Sequence, residues 1–412
     1  MIRRTRGEVI IATVDAELMA SSLTLPFLTE AAYARRSGAA RQELLGGERV
    51  EGGAPPMFPA TDFYDLSPLR YDFPAMTLTT LRDVLVRGRS NVLTPPDAIV
   101  RHDLFDPRTD ILPEEFYDRL MPSDGQDEAA WAAADPFSVD YLPEAAAFTD
   151  ASGFNYAHWM TEVLPRIVAF VQHGGRGGIP LLVDIDLHPN LMRSISMTVG
   201  PDVSLHLLRP EDSVRVGVLH NVSPAGYAPF SLRPQSEVAF SHGVFSPSAL
   251  GEMIGQLRRG VASPPVGELR PKLFIRRRTK LRRLVNEEEI EAALVTRGFV
   301  AVEPERLSLE EQIAAFSNAA MVVGATGAAI TNVMFCRPDC PTLVLMPRFR
   351  QTAYWYWRRI AAAAGAGAVV HVTGQQIDPL DDPFNPVALH RDFRVEVTDV
   401  LDAVEAADAL RR

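Results

Sequence analysis

The chain has little cysteine: only Cys336 and Cys340 occur among its 412 residues. No histidine lies near these two and there is no second pair, so their spacing argues against a zinc site. We therefore expect two loop thiols in a reducing cytoplasm. The apolar run near the amino terminus is too short for a signal peptide and ends at Asp15, which agrees with that expectation.

Long apolar runs are also scarce. The long uncharged stretch 314–336 is interrupted by polar side chains and by two glycines, whereas a membrane-spanning helix needs about 20 mostly apolar residues. We therefore predict no membrane span. With 47% hydrophobic and 23% charged residues, the composition is typical of a globular protein, and the length allows two domains with cores of their own.

Positive charge is scarce overall, because the net charge is −11. A broad face for nucleic acid needs clustered lysine and arginine, so we exclude nucleic acid as a partner. One local exception is "IRRRTKLRR", residues 275–283, in which six of nine residues are basic. From the residues alone, this segment is either a solvated basic loop, balanced by the glutamates at 287–289, or a site for an anion.

The rear half of the chain alternates strictly between strand and helix patterns. "KLFI" is a strand pattern, and "NEEEIEAALVTRG" is a helix pattern with Asn286 as its predicted N-cap. "SLEEQIAAFSNA" is a second helix, opened by a capping box of Ser308 and Glu311. Further strands follow at "MVVG", "TLVLMP" and "AVVHVTG". Such alternation predicts a doubly wound parallel sheet.

A pair of glycines, Gly324 and Gly327, lies between the strand "MVVG" and the helix pattern "GAAITNVMF". Ligands of open parallel sheets bind beyond the carboxyl ends of the strands, and the amino terminus of a helix attracts anions. The pair therefore fits a phosphate-binding turn. A tight strand-to-helix turn without a ligand fits these residues equally well.

One helix pattern in the front half, 154–173, carries polar side chains at intervals of three or four residues: Asn155, His158, Glu162 and Arg166. That spacing places them on one face of the helix. Side chains of such mixed chemistry on one stripe predict the wall of a cleft. Pro165, inside the pattern, is expected to bend the helix.

Four motifs occur in a fixed order: "NYAHWMTEVLPRI", "FIRRRTKLRRLVNEEEI", "PERLSLEEQIAAFSNAAMVVGATGAAITNVMF" and "PTLVLMP". As an ordered set over 155–374 they resemble glycosyltransferase family 61, whose bacterial members are often labelled capsular-polysaccharide biosynthesis proteins. The resemblance implies an α/β fold of the GT-B type, with two Rossmann-like domains facing a central cleft. It also implies an inverting, metal-independent transferase without a cofactor. Such an enzyme moves a sugar from a nucleotide-sugar donor, here expected to be a UDP-sugar, to a glycan or lipid-linked glycan acceptor.

The resemblance also assigns donor-binding residues, with the arginines expected to grip the diphosphate. The assigned set is Arg277, Arg282, Arg283, Gln312, Gly324, Thr326, Gly327, Ala328 and Asn332. Thr326 departs from the family, because many relatives carry histidine in a Gly-x-His-Gly version of this loop. For Gln312, near a helix start, capping and a contact with the base or ribose remain open alternatives.

An inverting transferase needs a base that takes the proton of the acceptor hydroxyl. The candidates are His158, Glu162 and Asp150, and we assign Asn155 and Arg166 to the cleft wall. A core histidine beside a buried tryptophan is the competing interpretation for His158, and a turn residue is the competing interpretation for Asp150.

Asp184 and Asp186, in "LLVDIDLHP", mimic the metal-binding Asp-x-Asp pair of the other large glycosyltransferase fold. They fall outside the predicted donor domain. We therefore interpret both as solubilising residues at the end of a strand and expect no metal site.

The predicted domains are an irregular lead-in at 1–75, an N-terminal α/β acceptor-side domain at 76–250, a C-terminal Rossmann-like nucleotide-sugar-binding domain at 251–375, and a linker with a helix at 376–412 that packs back on the N-terminal domain. We expect a cytoplasmic enzyme of surface-polysaccharide synthesis, with peripheral association at the inner face of the membrane as an alternative. A non-catalytic nucleotide-sugar-binding or scaffold protein on the same fold is the runner-up. An NAD-dependent oxidoreductase is excluded, because the first strand-to-helix turn lacks the glycine fingerprint.

Overall fold

The computed structural model describes residues 22–53, 56–60, 68–106, 110, 120–122, 128–132, 139–174, 178–229, 243–261, 270–279, 281–348, 354–379 and 390–410. In chain order the strands of these residues are β1 (Ser22–Thr29), β2 (Ala40–Leu45), β3 (Glu48–Gly52), β4 (Met57–Phe58), β5 (Leu69–Phe73), β6 (Met76–Arg87), β7 (Leu93–Thr94), β8 (Ile99–Arg101), β9 (Leu120–Pro122), β10 (Glu128–Ala132), β11 (Asp140–Ala147), β12 (Leu181–Asp184), β13 (Leu205–Leu208), β14 (Ser213–Val222), β15 (Gly226–Tyr227), β16 (Val244–Phe245), β17 (Lys272–Ile275), β18 (Phe299–Val302), β19 (Met321–Ala325), β20 (Thr342–Pro347), β21 (Val369–Gln376) and β22 (Phe393–Arg394).

The helices in the same residues are α1 (Glu30–Ser37), α2 (156–174), α3 (Pro189–Val199), α4 (Pro247–Arg259), α5 (Glu287–Val295), α6 (Leu309–Ser317), α7 (Tyr354–Ala363) and α8 (Val397–Leu410). Helix α2 is composite, because α-helical turns at Tyr156–His158 and Leu164–Ala169 alternate with π-helical turns at Trp159–Val163 and Phe170–Gly174. Two 3₁₀ segments occur at Pro304–Arg306 and Ala328–Phe335. In this part of the chain, no helix is long and apolar enough to cross a membrane.

The front sheet is mixed. Among the described residues it has eleven strands in the order β13-β12-β11-β14-β6-β7-β8-β1-β10-β9, with β2 beside β6. Strands β13, β12, β11 and β14 run parallel, whereas β14 and β6 pair antiparallel over most of their length. The long strand β6 contains two runs rich in β-branched residues, "MTLTTL" and "DVLVR".

The rear sheet contains the parallel order β18-β17-β19-β20-β21. Along the chain this is second, first, third, fourth and fifth strand, the order of doubly wound flavodoxin-like sheets. Helices α5 and α8 cover one face, and α6 and α7 cover the other. The parallel sheet predicted for the rear half is therefore present.

A common core joins the two sheets. One cluster of buried side chains contains Ile167 and Leu250 from the front half together with Ile275 and Phe316 from the rear half. Helices α2 and α4 of the front half pack against each other, and α7 of the rear half packs against α4. The two halves therefore share buried apolar surface, which stabilises their contact.

The predicted irregular lead-in at 1–75 does not match the described residues of that range. Strands β1 and β2 belong to the front sheet, β3 pairs with β5, and β4 pairs parallel with β21 of the rear sheet. The glycines and prolines of this range mark turns between short strands, and sequence reasoning mistook those turns for a lack of regular structure.

The carboxyl-terminal helix also differs from its prediction. Val400, Ala403, Val404 and Ala407 of α8 are buried with Phe274, Ile290 and Val372 in the core of the rear sheet. The helix therefore packs on the C-terminal half and not back on the N-terminal half. Its apolar side chains cover the part of one sheet face that lies beside α5. The predicted β-α units alone would leave that part of the face exposed.

Of the two helix starts predicted in the rear half, one is confirmed and one is wrong. The capping box of Ser308 and Glu311 is present, with the Ser308 hydroxyl accepting the Glu311 N–H. The Asn286 side chain does not cap α5. Its amide instead donates to the Val395 carbonyl at 2.8 Å and accepts the Val395 N–H at 3.3 Å, which ties α5 to the carboxyl-terminal segment.

The position of α8 generates a stability prediction. Ala407→Asp places a carboxylate in the apolar core of the rear sheet, and we expect the free energy of unfolding to fall by about 3 kcal/mol or more. Ala409, two residues further on, is exposed, so Ala409→Asp should change it by less than about 0.5 kcal/mol. Urea denaturation measures both, and equal midpoints for the two variants would contradict this packing.

Candidate functional site

The rear sheet has its switch point between β17 and β19. The chain leaves β17 toward β18 on one side, while β19 lies on the other side. In sheets of this order, ligands bind in the crevice outside the carboxyl ends of the two strands at the switch point. Arg277 follows the end of β17, and Thr326 and Gly327 follow the end of β19. The basic run and the glycine loop therefore meet at this crevice.

Arg277 and Gly327 are in close contact. A β-carbon added to Gly327 would lie 2.6 Å from Nε and 2.9 Å from Cζ of Arg277. The guanidinium group thus lies against the bare backbone of the loop, where any other residue would displace it. The Arg277 Nη1 donates to the Arg282 carbonyl at 3.0 Å, and the Arg277 backbone N–H donates to Glu287 Oε1 at 2.9 Å.

Three arginines of the basic run are neutralised by carboxylates. Arg276 binds Glu291 and Arg278 binds Glu303. Arg283 binds Asp392 at 2.6 Å, and its side chain is 61% exposed. Its predicted part in gripping a diphosphate is thus not favoured by its placement. Lys280 lies outside the described residues.

Arg277 and Arg282 differ from their neighbours. Within the described ranges neither forms an ion pair, and the Nε of Arg282 is buried without a hydrogen-bond partner. Burial lowers the pKa of both groups, and burial together with the charge of Arg277 lowers the pKa of Arg282 to about 10. A buried donor without an acceptor costs about 1–3 kcal/mol, and more when it is charged. The two guanidinium groups therefore form a site that a dianion would stabilise.

The remaining residues of the glycine loop have structural contacts. Gly324 lies inside β19, where an added β-carbon would lie 2.9 Å from Cβ of Ile275 in the neighbouring strand. Thr326 is buried and its hydroxyl accepts the Trp357 indole N–H at 3.0 Å. Ala328 begins the 3₁₀ segment and is half-buried. Gly327 is thus the loop residue that lies against Arg277.

Gln312 and Asn332 join a buried chain of hydrogen bonds. The Tyr156 hydroxyl donates to Asn332 Oδ1 at 2.7 Å, and Asn332 Nδ2 donates to Gln312 Oε1 at 3.0 Å. Both amide side chains are almost fully buried. The two side chains therefore connect α2 of the front half with α6 of the rear half.

His158 and Glu162 form a hydrogen-bonded pair on α2. His158 Nδ1 and Glu162 Oε1 are 2.8 Å apart, and 21% of the His158 side chain is exposed against 10% for Glu162. Burial raises the pKa of Glu162, while His158 acts in the opposite direction. Pro165 lacks an N–H for the carbonyl one turn before it, and a π-helical turn precedes it. The arrangement can orient the imidazole as a base, as in other carboxylate–histidine pairs.

A pocket opens beside this pair on the front half. Its described lining consists of Glu30, Asn91, Leu93, Val100, Arg101, His102, Asp150, Glu162, Arg166, Asn221, Val222, Pro224, Gly226 and Tyr227. The lining thus contains Asp150 and Glu162, two of the three candidate bases, together with Arg166. Asn155 is not in this lining; its Oδ1 accepts the Ala157 N–H at 2.9 Å and caps α2.

The polar groups of the pocket hold one another. Arg166 donates to the carbonyls of Val222 and Ala147 and to Asn221 Oδ1. The Asn221 amide in turn donates to Glu30 Oε2, a carboxylate that is 1% exposed. Burial raises the pKa of Glu30 and lowers that of Arg166. The pocket floor is thus fixed before any ligand binds.

Asp150 behaves in part as a turn residue. Its Oδ1 accepts the Ser152 N–H at 2.8 Å, and its Oδ2 accepts from Asn91 at 3.1 Å. Asp184 supports it from behind, because Asp184 Oδ2 accepts the Asp150 N–H at 2.9 Å and Oδ1 accepts the Arg89 N–H at 2.6 Å. Asp184 is 2% exposed, so its interpretation as a solubilising residue is wrong, whereas Asp186 is exposed.

Several residues of the site escaped sequence reasoning. Glu30, Asn221 and Tyr227 reach the pocket from distant parts of the chain, and none belongs to a motif. Tyr156 stands inside the quoted motif but has no spacing signal of its own. Asp184 gave a signal, since an acidic residue at the carboxyl end of an apolar strand is at the sheet edge where ligands bind.

In a comparison with protein families, the family described as Glycosyltransferase 61 matches residues 156–344. That range contains the His158–Glu162 pair, the basic run and the glycine loop. It excludes Glu30, Arg101 and Asp150 of the pocket. No match is found among curated proteins.

Asp184 generates a pH prediction. Burial raises its pKa from 3.8 to about 6, so ionising it costs the folded state about 3 kcal/mol at pH 7, and this cost disappears as the pH falls through 6 toward 4. We expect Asp184→Asn to gain stability relative to the natural protein, by about 2 kcal/mol, as the pH rises from 4 to 7. Urea denaturation at each pH measures the difference. Asp186→Asn, at an exposed position, should show no such trend.

Proposed function

Because residues 156–344 place the chain in glycosyltransferase family 61, we propose that it transfers a sugar from a nucleotide-sugar donor, a UDP-sugar, to a glycan acceptor with inversion and without a metal ion. Glycosyltransferase activity follows from the family. The observation that carries the finer proposal is that Arg277, which lies against Gly327 at the switch point, and its neighbour Arg282 form no ion pair among the described residues.

The rear crevice suits the diphosphate of the donor. Sugar transfer breaks the bond between C1 and the phosphate oxygen, and the electron pair leaves with the diphosphate through an oxocarbenium-like transition state. Fixed positive groups stabilise the charge that develops there. A charge-assisted hydrogen bond contributes about 1.5–3 kcal/mol, and Arg277 and Arg282 already stand in place before the donor binds.

The front pocket suits the acceptor. We assign the base to His158, which takes the proton of the attacking hydroxyl while Glu162 holds the imidazole and stabilises its positive charge. The hydroxyl oxygen forms the new bond to C1 on the face opposite to the diphosphate, and that geometry inverts the anomeric centre. Glu162 lines the pocket, so an acceptor sugar in the pocket would present its hydroxyl beside this pair.

The same proposal includes a GT-B arrangement, with 76–250 on the acceptor side and 251–375 on the donor side. Support comes from the Tyr156–Asn332 hydrogen bond, which holds the turn with His158 against the segment that follows the glycine loop. We further propose that the acceptor belongs to a capsule or another surface polysaccharide and is lipid-linked, so that the enzyme works at the inner face of the membrane. A sugar-nucleotide-binding protein without catalysis is the second candidate, favoured by the buried Thr326 in the loop.

The arginine pair generates a binding prediction. Arg277→Ala removes one of the two uncompensated cations, and we expect about tenfold weaker donor binding or a larger loss. Isothermal titration calorimetry measures it with the nucleotide sugar that a thermal-shift panel selects. Arg278→Ala is the matched control, because Arg278 is exposed and pairs with Glu303. Equal affinities of the two variants contradict the proposed diphosphate site.

The base assignment generates a kinetic prediction. His158→Gln should lower kcat by about 10²–10⁴-fold and leave donor affinity unchanged. His173→Gln is the control, because His173 forms a similar but more exposed pair with Glu252. Transfer to glycan acceptors is measured in EDTA, since the proposal needs no metal. Donor binding without transfer to any acceptor would favour the second candidate, and transfer that requires an added divalent ion would contradict the metal-independent mechanism.

A further inference from the structure

The carboxyl-terminal segment runs along the basic run. The Arg282 N–H donates to the His390 carbonyl at 3.1 Å, and the Phe393 N–H donates to the Arg283 carbonyl at 2.9 Å. Val285 continues the pairing through its N–H to the Phe393 carbonyl. Residues 390–393 are therefore hydrogen-bonded along the segment that carries Arg282. They lie outside the range 156–344 that matches the family.

Arg282 has an unusual backbone at this contact. Its φ is 54°, a left-handed conformation that costs about 1 kcal/mol or more for a residue with a side chain. The bond to His390 holds this conformation. Together with the Arg277 bond to the Arg282 carbonyl, it holds Arg282 between Arg277 and the carboxyl-terminal segment.

His390 lies within the field of this cluster. The residue as a whole is exposed, yet partial burial of its ring, followed by the charges of Arg282 and Arg277, lowers its pKa below the ordinary 6.5. The charged groups next to it on its own segment are Arg391 and Asp392, and Asp392 is bound to Arg283. Glu287 and Glu305 act on Arg277. The described surroundings of His390 are therefore dominated by two arginines without carboxylate partners.

We propose that His390 is part of the donor site: when a diphosphate binds to Arg277 and Arg282, the His390 imidazole takes up a proton from solvent and becomes a third cation at the bound anion. This inference rests on the proposed function, because it needs a diphosphate between the two arginines. A dianion there offsets the repulsion that, after burial, lowers the pKa of His390, and it adds an attraction for the charged form.

The sign of the pH dependence follows from this exchange. A histidine whose pKa is lower in the free protein than in the complex makes binding tighter as the pH falls from the bound-state value to the free-state value. If the pKa of the histidine is one unit higher in the complex than in the free protein, the affinity changes about tenfold over this pH range. We therefore expect donor affinity to rise about three- to tenfold between pH 8 and pH 6.

The test is calorimetric titration of the full chain with UDP-glucose at pH 6, 7 and 8, in two phosphate-free buffers of different ionisation enthalpy. Both phosphates of UDP-glucose are diesters and do not titrate in this range, so any proton taken up is bound by the protein. We expect uptake near pH 6.5 in the natural protein. In His390→Gln, uptake should vanish and the affinity should become independent of pH.

His206→Gln is the matched control, because His206 lies on β13 at an edge of the front sheet and should keep the natural behaviour. Binding without proton uptake, or uptake that persists in His390→Gln, overturns the role of His390 and leaves the proposed function intact. If UDP-glucose does not bind, the corresponding GDP-, ADP- and dTDP-sugars replace it. Failure of all of them overturns the proposed function, and this inference with it.

Discussion

The missing side chain of Gly327 is the constraint on which the candidate donor site depends. Only a bare backbone lets the Arg277 guanidinium approach this loop, because an added β-carbon would lie 2.6 Å from its Nε. Arg277 in turn binds the Arg282 carbonyl, and Arg282 binds the carboxyl-terminal segment. One close contact at the end of β19 therefore fixes the positions of two cations and of the segment beside them.

Helix α2 connects this donor side to the pocket of the front half. Its first turn carries Tyr156, which is bound to Asn332 of the rear half, and His158, which is bound to Glu162 at the pocket. The buried chain through Asn332 and Gln312 is fully hydrogen-bonded, as buried polar groups must be to be tolerated. Asn332 and Gln312, which the resemblance assigns to donor binding, thus connect the two halves.

Local patterns were read correctly from the sequence, whereas partners distant in the chain were not. The capping box of Ser308 and the strands of the rear sheet depend on residues a few positions apart, and both are present. Thr326, Asn286 and Asn332 looked like site or cap residues because their neighbours formed motifs. Their actual partners lie 31, 109 and 176 residues away, at distances that neither periodicity nor capping rules can address. The arginines could be found as a cluster, but their separation into neutralised and uncompensated groups depends on Glu291, Glu303 and Asp392, which only the fold brings near.

Strand β4 is synthesised early, whereas β21, its partner in the rear sheet, is synthesised near the end of the chain. Its Phe58 carbonyl lies 315 residues before its partner, the Thr373 hydroxyl, at 3.5 Å. A nascent chain must therefore keep this short segment unpaired on the ribosome until almost all of the polypeptide has emerged. The outer edge of β21 stays open during that interval, and exposed strand edges recruit other chains. A separate fragment of residues 251–375 would lack β4, so this edge of β21 would stay exposed to other chains.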